Sequence, residues 1–333
     1  MSIKIYVMSK DKDYIGIDIS MDVFDVCYSD GSHDQFENTK RGFLKFGKTL
    51  TESSFCVMEQ TGRYHWGLAT YLYSIEQSVS VVNAIIIKRF IQMRLRTTKT
   101  DKADAKMIKL YGEWDNPKQW IPPKKYIIQC RELRSLVALL LKNNVALKNQ
   151  LHSLKKSGMN SSFSIKIIEK QLKTIKNEVK KLETEMERLV SENEEDLLSL
   201  LCTIPGMGNK TAMALIVITN GLHDFENSKQ LSSYLGLSPT IRMSGSSVRG
   251  QSRISKTGNK DVRNLLFLCS FTAYKYNDSC TQLFERIVNK GKSKKLALIA
   301  VCNKLLKQAL AISKSRIPYD QNYRSKNPIL NVK

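Results

Sequence analysis

Residues 13–20 read DYIGIDIS, a short apolar run that ends in an acid. Such a run suits a central strand buried on both faces of a sheet. VFDVCYSDGSHDQFEN (23–38) follows, two strand-like runs joined by Asp30-Gly31. An Asp-Gly pair between such runs predicts a hairpin. KRGFLKFGKTL (40–50) reads as a helix and FCVMEQT (55–61) as a fourth strand. YHWGLATYLYSI (64–75) is a second helix, SVSVVNA (78–84) a fifth strand, and a last helix begins near Thr100. The order βββαβαβα predicts an α/β layer with an antiparallel meander first and parallel strands added after it.

This is also the element order of ribonuclease-H-like nucleases, and the acids fall where such chemistry needs them. Asp18 closes the first strand and Glu59 the fourth. Both emerge at one edge of the sheet if those strands are neighbours. RLRTTKTDKADAKMIKLYG (94–112) places Asp101 and Asp104 three apart on a helix, where their Cβ atoms lie about 5–6 Å apart. Thr100 suits the N-cap of that helix, whose positive end favours the two acids. Four carboxylates converging on one point repel one another unless a cation sits among them. Ligation by oxygen alone, without His or Cys, selects Mg²⁺ or Mn²⁺, and two such ions suit phosphoryl transfer. Arg94, Arg96 and Lys99, just upstream, are placed to hold a phosphate backbone. Taken singly, each acid is more often a solvated charge; it is their order on this strand pattern that carries weight.

The bulk composition agrees with a polyanion partner. A chain of 333 residues with 42% hydrophobic content has room for two domains, each with a core. No apolar run approaches the roughly 18–20 residues of a membrane span, and the N-terminus lacks the pattern of a signal peptide. The expectation is a cytoplasmic protein. Seven scattered cysteines without a CxxC pair, beside only four histidines, argue against a zinc site or disulfide framework and read as small buried hydrophobes. The net charge of +22 points to nucleic acid. From Gln230 onward the only acids are Asp261, Asp278, Glu285 and Asp320, so the C-terminal third is expected to hold it.

Between the two halves the pattern turns helical. Ile168, Leu172, Ile175, Val179, Leu182, Met186 and Leu189 alternate spacings of four and three, a heptad seam. Leu133, Leu136, Leu140, Leu147, Leu151 and Leu154 mark an earlier helix, and KSGMNSS (156–162) separates the two. This predicts an antiparallel hairpin or coiled-coil arm. Its seam is met either within the chain or by a second chain, and a long exposed apolar face favours the second. The expected divisions are 1–125, 126–194 for the arm, 195–320 for a mostly helical domain, and a tail at 321–333.

Two motifs stand out in that last domain. LLCTIPGMGNKTAMALIVI (200–218) reads helix, turn, helix, like a helix-hairpin-helix. There Gly206 and Gly208 would let backbone N–H groups approach a phosphate, with Lys210 adding charge; a plain helix connector is the alternative. QLSSYLGLSPTIRMSGSSVRGQSRISKTGNKDVRNLLFL (230–268) surrounds its serines with Arg242, Arg249, Arg253 and Lys256. Either these hydroxyls only donate hydrogen bonds to phosphate, or one is a nucleophile. With no histidine nearby, a nucleophile would depend on a metal ion or on the arginines.

Over Tyr14 to Asp320 the sequence resembles the DEDD-type transposases of bacterial insertion sequences, relatives of the Piv DNA invertases described as bridge-RNA-guided recombinases. The resemblance rests on YIGIDIS, MEQTGRYHWGL, RTTKTDKADAKMI, IPGMGNKTA, YLGLSPTIRMSGSSVRGQSRISKTGN and SRIPYD. It implies a RuvC-like N-terminal domain whose four acids match Asp18, Glu59, Asp101 and Asp104. It also implies a C-terminal transposase domain whose serine before glycine matches Ser244. Ser246 and Ser247 do not match that position. The family mechanism implied is serine attack on a phosphate polarised by Mg²⁺, leaving a phosphoserine link and a free 3′-hydroxyl. DNA, a noncoding guide RNA and further copies of the chain, as a dimer or tetramer near the nucleoid, are the implied partners. Two departures are Ala84, where relatives carry proline after the residue matching Asn83, and a short spacing from Asp18 to Glu59. A site-specific invertase, a hydrolytic nuclease with a structural Ser244, and a non-enzymatic binder are the rival readings.

Overall fold

A computed structural model describes residues 12–94, 100–157, 162–240, 243–244, 248–249 and 253–323, with the backbone alone at 243–244 and 248–249. The chain forms two compact units, one up to Pro122 and one from Pro123.

The first unit is built from β1 (Asp13–Ile19), β2 (Val23–Cys27), β3 (His33–Glu37), α1 (Lys40–Gly47), β4 (Ser54–Gln60), α2 (His65–Ser74), β5 (Ser78–Asn83), α3 (Ala84–Met93) and α4 (Asp101–Asp115). Its sheet has the order β3-β2-β1-β4-β5. β1, β2 and β3 pair antiparallel, whereas β4 runs parallel to β1 and β5 parallel to β4. This is the mixed sheet that the meander followed by crossovers demands. Gly31, at φ +90°, turns the β2–β3 hairpin, and the Asp30 carboxylate accepts from the Ser32 amide at 2.8 Å. One helix escapes the sequence reading. α3 begins directly after β5, where Asn83 Oδ1 accepts from the Ile85 amide at 2.9 Å. Ala84 is thus the first residue of α3, a position where proline is also at home, so this departure leaves the cap intact.

The two faces of the sheet carry separate cores. Ile15, Ile17, Phe24, Cys56 and Met58 pack with α1 and α2 residues such as Phe46 and Leu68. Tyr14, Phe55, Val57 and Val82 pack with Ile87 and Phe90 of α3 and with Met107, Ile108 and Tyr111 of α4. On this second face Gly16 decides how close α4 comes. A Cβ there would lie 2.1 Å from the Ala105 carbonyl oxygen and 2.3 Å from the Lys109 amide. Further along, a Cβ on Gly112 would lie 2.8 Å from both Tyr14 and Val57. Asn116, in the left-handed region at φ 45°, ends α4 and accepts from the Tyr14 hydroxyl at 2.7 Å. The C-terminal end of α4 is therefore fixed over the start of β1. Its N-terminal turn comes to lie over the end of the same strand.

The second unit contains α5 (Lys125–Ser157), α6 (Ser162–Cys202), α7 (Asn209–Thr219), α8 (Ser228–Tyr234), α9 (Lys260–Tyr276), α10 (Asp278–Asn289) and α11 (Lys294–Ser315). α5 and α6 pack along each other. Ile168, Met186 and Leu189 are buried, and the remaining α6 seam positions are half-buried. On α5 the seam positions Leu133, Val137, Leu140, Asn144, Leu147, Leu151 and Leu154 are half-buried. Leu136, expected in the seam, is 49% exposed; counting leucines alone missed Val137 and Asn144, which keep the four-three spacing. α6 breaks at Glu194 (φ −145°, ψ 37°). Below that break, Tyr126, Ile127 and Cys130 share one core with residues of α6, α7, α9 and α11. By length and composition α11 is apolar enough to cross a membrane, although lysines interrupt its apolar runs. Its Val301, Cys302, Leu305, Leu306, Ala309 and Leu310 are buried in this core. Six of the cysteines are buried as expected, and Cys202 is exposed.

Candidate functional site

Strand register brings the first two acids together. Ile17 pairs with Met58 in the parallel β1–β4 ladder, so the next residues, Asp18 and Glu59, leave the sheet side by side. Side chains alternate along a strand. Asp18 therefore shares the face of Tyr14 and Gly16, and Glu59 that of Phe55 and Val57, which is the face covered by α4. Thr100 caps α4 by accepting from the Ala103 amide at 3.2 Å, and Asp101 and Asp104 occupy its first turn.

The electrostatics register this convergence. Asp18 is half-buried, and its pKa is pushed from 3.8 up to about 7 by burial and then by the charges of Asp104, Glu59, Asp101 and Asp25. Nothing in the sequence alone singled out Asp25. It lies directly across the β1–β2 ladder from Asp18 and is only 5% exposed. His33 Nε2 stands 3.0 Å from its carboxylate, and Gln35 Nε2 donates to it at 3.1 Å. The Asp30-Gly31 turn fixes the β2–β3 pairing, so the hairpin register was the signal that could have found the trio. Among the described residues, no three His, Cys, Asp or Glu side chains are gathered tightly enough to hold a metal ion as they stand. The carboxylates approach within charge range and stop short of a closed ligand cage. Their donor set, all oxygen with no thiolate, fits a hard divalent cation.

The expected phosphate contacts are spread over both units. Arg94 caps α3 with its guanidinium 5.3 Å from the Phe90 ring. Arg96, Lys99 and Arg242 lie outside the described residues. Arg253 is exposed on β9 (Arg253–Ile254), which pairs with β6 (Pro239–Thr240). Lys256 sits at φ 57° and is exposed. Ser244 lies on β7 (Met243–Ser244), opposite Val248 of β8 (Val248–Arg249), the strand that holds Arg249. The segment thus forms two short antiparallel pairs, with β7–β8 nested in sequence inside β6–β9.

In the PGMG turn the glycines differ. Gly206, at φ +95°, has Ala273 of α9 where a Cβ would go, at 2.7 Å. Gly208 precedes α7 with open space around it. Lys210 pairs with Glu183 of α6, and Asn209 with Glu187.

Comparison with known proteins places this arrangement. Residues 15–157 match a DEDD-type IS110 transposase family, and residues 198–285 match the "Transposase IS116/IS110/IS902 family". The pilin gene-inverting protein of Moraxella lacunata is 31% identical over 333 residues, covering 93% of this chain and 98% of that protein. Its namesake from Moraxella bovis is 31% identical over 328 residues, with the same coverage. The chain belongs to the IS110-type DEDD transposase family, among relatives of the Piv invertases. The similarity reaches the transposase for insertion sequence element IS1111A of Coxiella burnetii, 23% identical over 290 residues, 77% of this chain and 76% of that one. The first family match spans all four acids of this transposase, and the second spans Gly206, Ser244 and the serine strands.

Proposed function

We propose that this transposase rearranges DNA by phosphoryl transfer, with Asp18, Glu59, Asp101 and Asp104 as the metal-holding acids and Ser244 as the nucleophile. The observation that carries the reading is the convergence of Asp18 and Glu59 from neighbouring strand ends with the acidic first turn of α4, where burial and then the charges of Asp104, Glu59 and Asp101 push the Asp18 pKa up to about 7. Such clustering is costly without a function to maintain it. A bound divalent cation, Mg²⁺ or Mn²⁺, supplies charge stabilisation on the scissile phosphate. The Ser244 Oγ forms a bond to phosphorus as its proton departs, and the P–O3′ bond breaks. The 3′-oxygen takes up a proton and leaves as a free hydroxyl, while the 5′-phosphate stays esterified to Ser244. The ester conserves the bond energy for the reverse attack by a new 3′-hydroxyl. Arg249, on the strand paired with that of Ser244, and Arg253, on β9 of the neighbouring pair in sequence, are the candidates for stabilising the charge that develops.

In this reading the element's own noncoding RNA guides the choice of DNA, and the active species is a homo-oligomer, a dimer or tetramer, at the nucleoid. The turn around Gly206 and Gly208 acts as a helix-hairpin-helix that grips DNA without reading its sequence, and the α5–α6 hairpin serves as a coiled-coil arm. Inversion of a fixed DNA segment is the second reading, favoured by the near full-length similarity to two gene-inverting proteins. Purified protein incubated with Mg²⁺ and an end-labelled element junction tests the chemistry. Denaturing gels are expected to show a protein–DNA adduct that Ser244→Ala and Asp18→Asn abolish. Cleavage by Ser244→Ala at the wild-type rate overturns the serine mechanism in favour of hydrolysis by water.

A further inference from the structure

The α5–α6 hairpin sorts its charge both along its length and around its girth. Residues 142–181, its distal part, hold ten lysines against Glu169 and Glu178, whereas 183–196 hold seven acids against Arg188. Both distal acids are already engaged, Lys155 with Glu169 at 2.9 Å and Lys181 with Glu178 at 3.1 Å.

The seam fixes where the lysines point. Relative to the inward positions of α6, Lys166, Lys173, Lys176 and Lys180 fall on one flank and Lys170 on the outward back. On α5, Lys148 and Lys155 fall on a flank, with Lys142 and Lys156 on the back. The Lys155–Glu169 pair joins the two flanks across the helices, so they form one side of the hairpin. The opposite side presents Asn143, Gln150, Ser153, Gln171 and Thr174, with the self-neutralised Lys181–Glu178 pair. A merely solubilising charge has no reason to collect on one side.

We propose that this lysine-bearing flank is a docking rail for the backbone of double-stranded DNA, built from residues other than the four acids and the serine strands. At 1.5 Å per residue, Lys166 to Lys180 extend about 21 Å along one rigid helix. The six cationic side chains of the flank are all lysines, point charges that attract phosphate without the planar fork that reads a base edge. The flank itself carries no phenylalanine, tyrosine or tryptophan, and the exposed Phe163 falls on the outward back with Lys170, so no row of aromatic platforms for single strands lines the lysines. The rail therefore grips duplex without regard to sequence. The proposal rests on the reading of this protein as one that handles DNA.

The test is equilibrium binding of the full-length protein to a blunt 60-base-pair duplex of unrelated sequence, across a salt series. In the triple variant Lys166→Gln, Lys173→Gln, Lys180→Gln, the slope of log affinity against log salt is expected to fall by about 2–3. The matching Lys→Arg triple restores it, and Lys181→Gln leaves it unchanged. Circular dichroism melts verify that the variants fold; if the glutamine triple does not, Lys148→Gln with Lys173→Gln is measured, with an expected fall of about 2. An unchanged slope in a folded variant overturns the rail, as does a loss confined to a structured RNA probe. Failure of the wild-type protein to bind the duplex at all overturns the DNA-handling reading itself.

Discussion

A Cβ atom placed on Gly16 would lie 2.1 Å from the carbonyl oxygen of Ala105, so β1 and α4 meet backbone to backbone. That contact lies two residues before Asp18 and one residue after Asp104. Gly16→Ala must therefore lift α4 off the strand at the very point where the acids gather. Overpacking of this kind costs about 1–3 kcal/mol, and here the opposing atoms are backbone that cannot rotate away. Urea unfolding is expected to show that loss, with DNA strand cleavage falling further than stability alone explains.

Asp18 gives the protein a pH signature. Its proton is held more tightly in the folded state, at about 7, than at the ordinary value of 3.8. Folding stability from this group is complete below the ordinary value and is lost as pH rises from about 4 through about 7. In EDTA, the melting temperature of wild type minus that of Asp18→Asn is expected to fall across this window and level off above it. Mg²⁺ at pH 8 is expected to raise the wild-type melting temperature and leave the variant nearly unmoved. A difference that stays flat with pH would show that the four acids do not crowd Asp18 in solution.

The break in α6 is held by charge. Burial pushes the Glu194 carboxyl up, but the Lys124 ammonium at 2.8 Å and the Tyr126 hydroxyl at 3.0 Å prevail, and its pKa is lowered. Its stabilisation is therefore present above the usual glutamate range and lost as pH falls below it. Glu194→Ala leaves the half-buried Tyr126 hydroxyl without its acceptor and is expected to cost about 1–3 kcal/mol at pH 7. Chemical denaturation at pH 7 and pH 4 checks both size and sign, since the difference between variant and wild type shrinks at the lower pH.

Much of the first unit was legible because local signals and global topology agree there. DYIGIDIS could only be a central strand, Asp30-Gly31 could only turn a hairpin, and parallel additions after a meander leave few sheet orders. α3 was hidden because IIIKRFIQM carries β-branched residues that read as readily as strand. Asp25 was hidden because its importance lies in ladder register, a property of two strands together. The same holds in the second unit. The ion pair of Lys210 with Glu183 spans 27 residues, and no motif around PGMG announces it. The nested serine strands are two residues each, too short for periodicity to act.

The PGMG turn separates two uses of glycine that the sequence merges. Gly206 needs both its φ of +95° and its missing side chain, because Ala273 occupies the space. Gly206→Ala is therefore expected to destabilise the helical unit whether or not DNA is present. Gly208 meets nothing within 4 Å and has an ordinary φ of −86°, so Gly208→Ala is expected to cost no more than about 1 kcal/mol. Its cost falls on binding. If the turn brings its amides to a phosphate, the added methyl weakens affinity for duplex DNA while the melting temperature stays within a few degrees. Unchanged affinity in Gly208→Ala, measured beside a destabilised Gly206→Ala, would reduce the motif to a packing device.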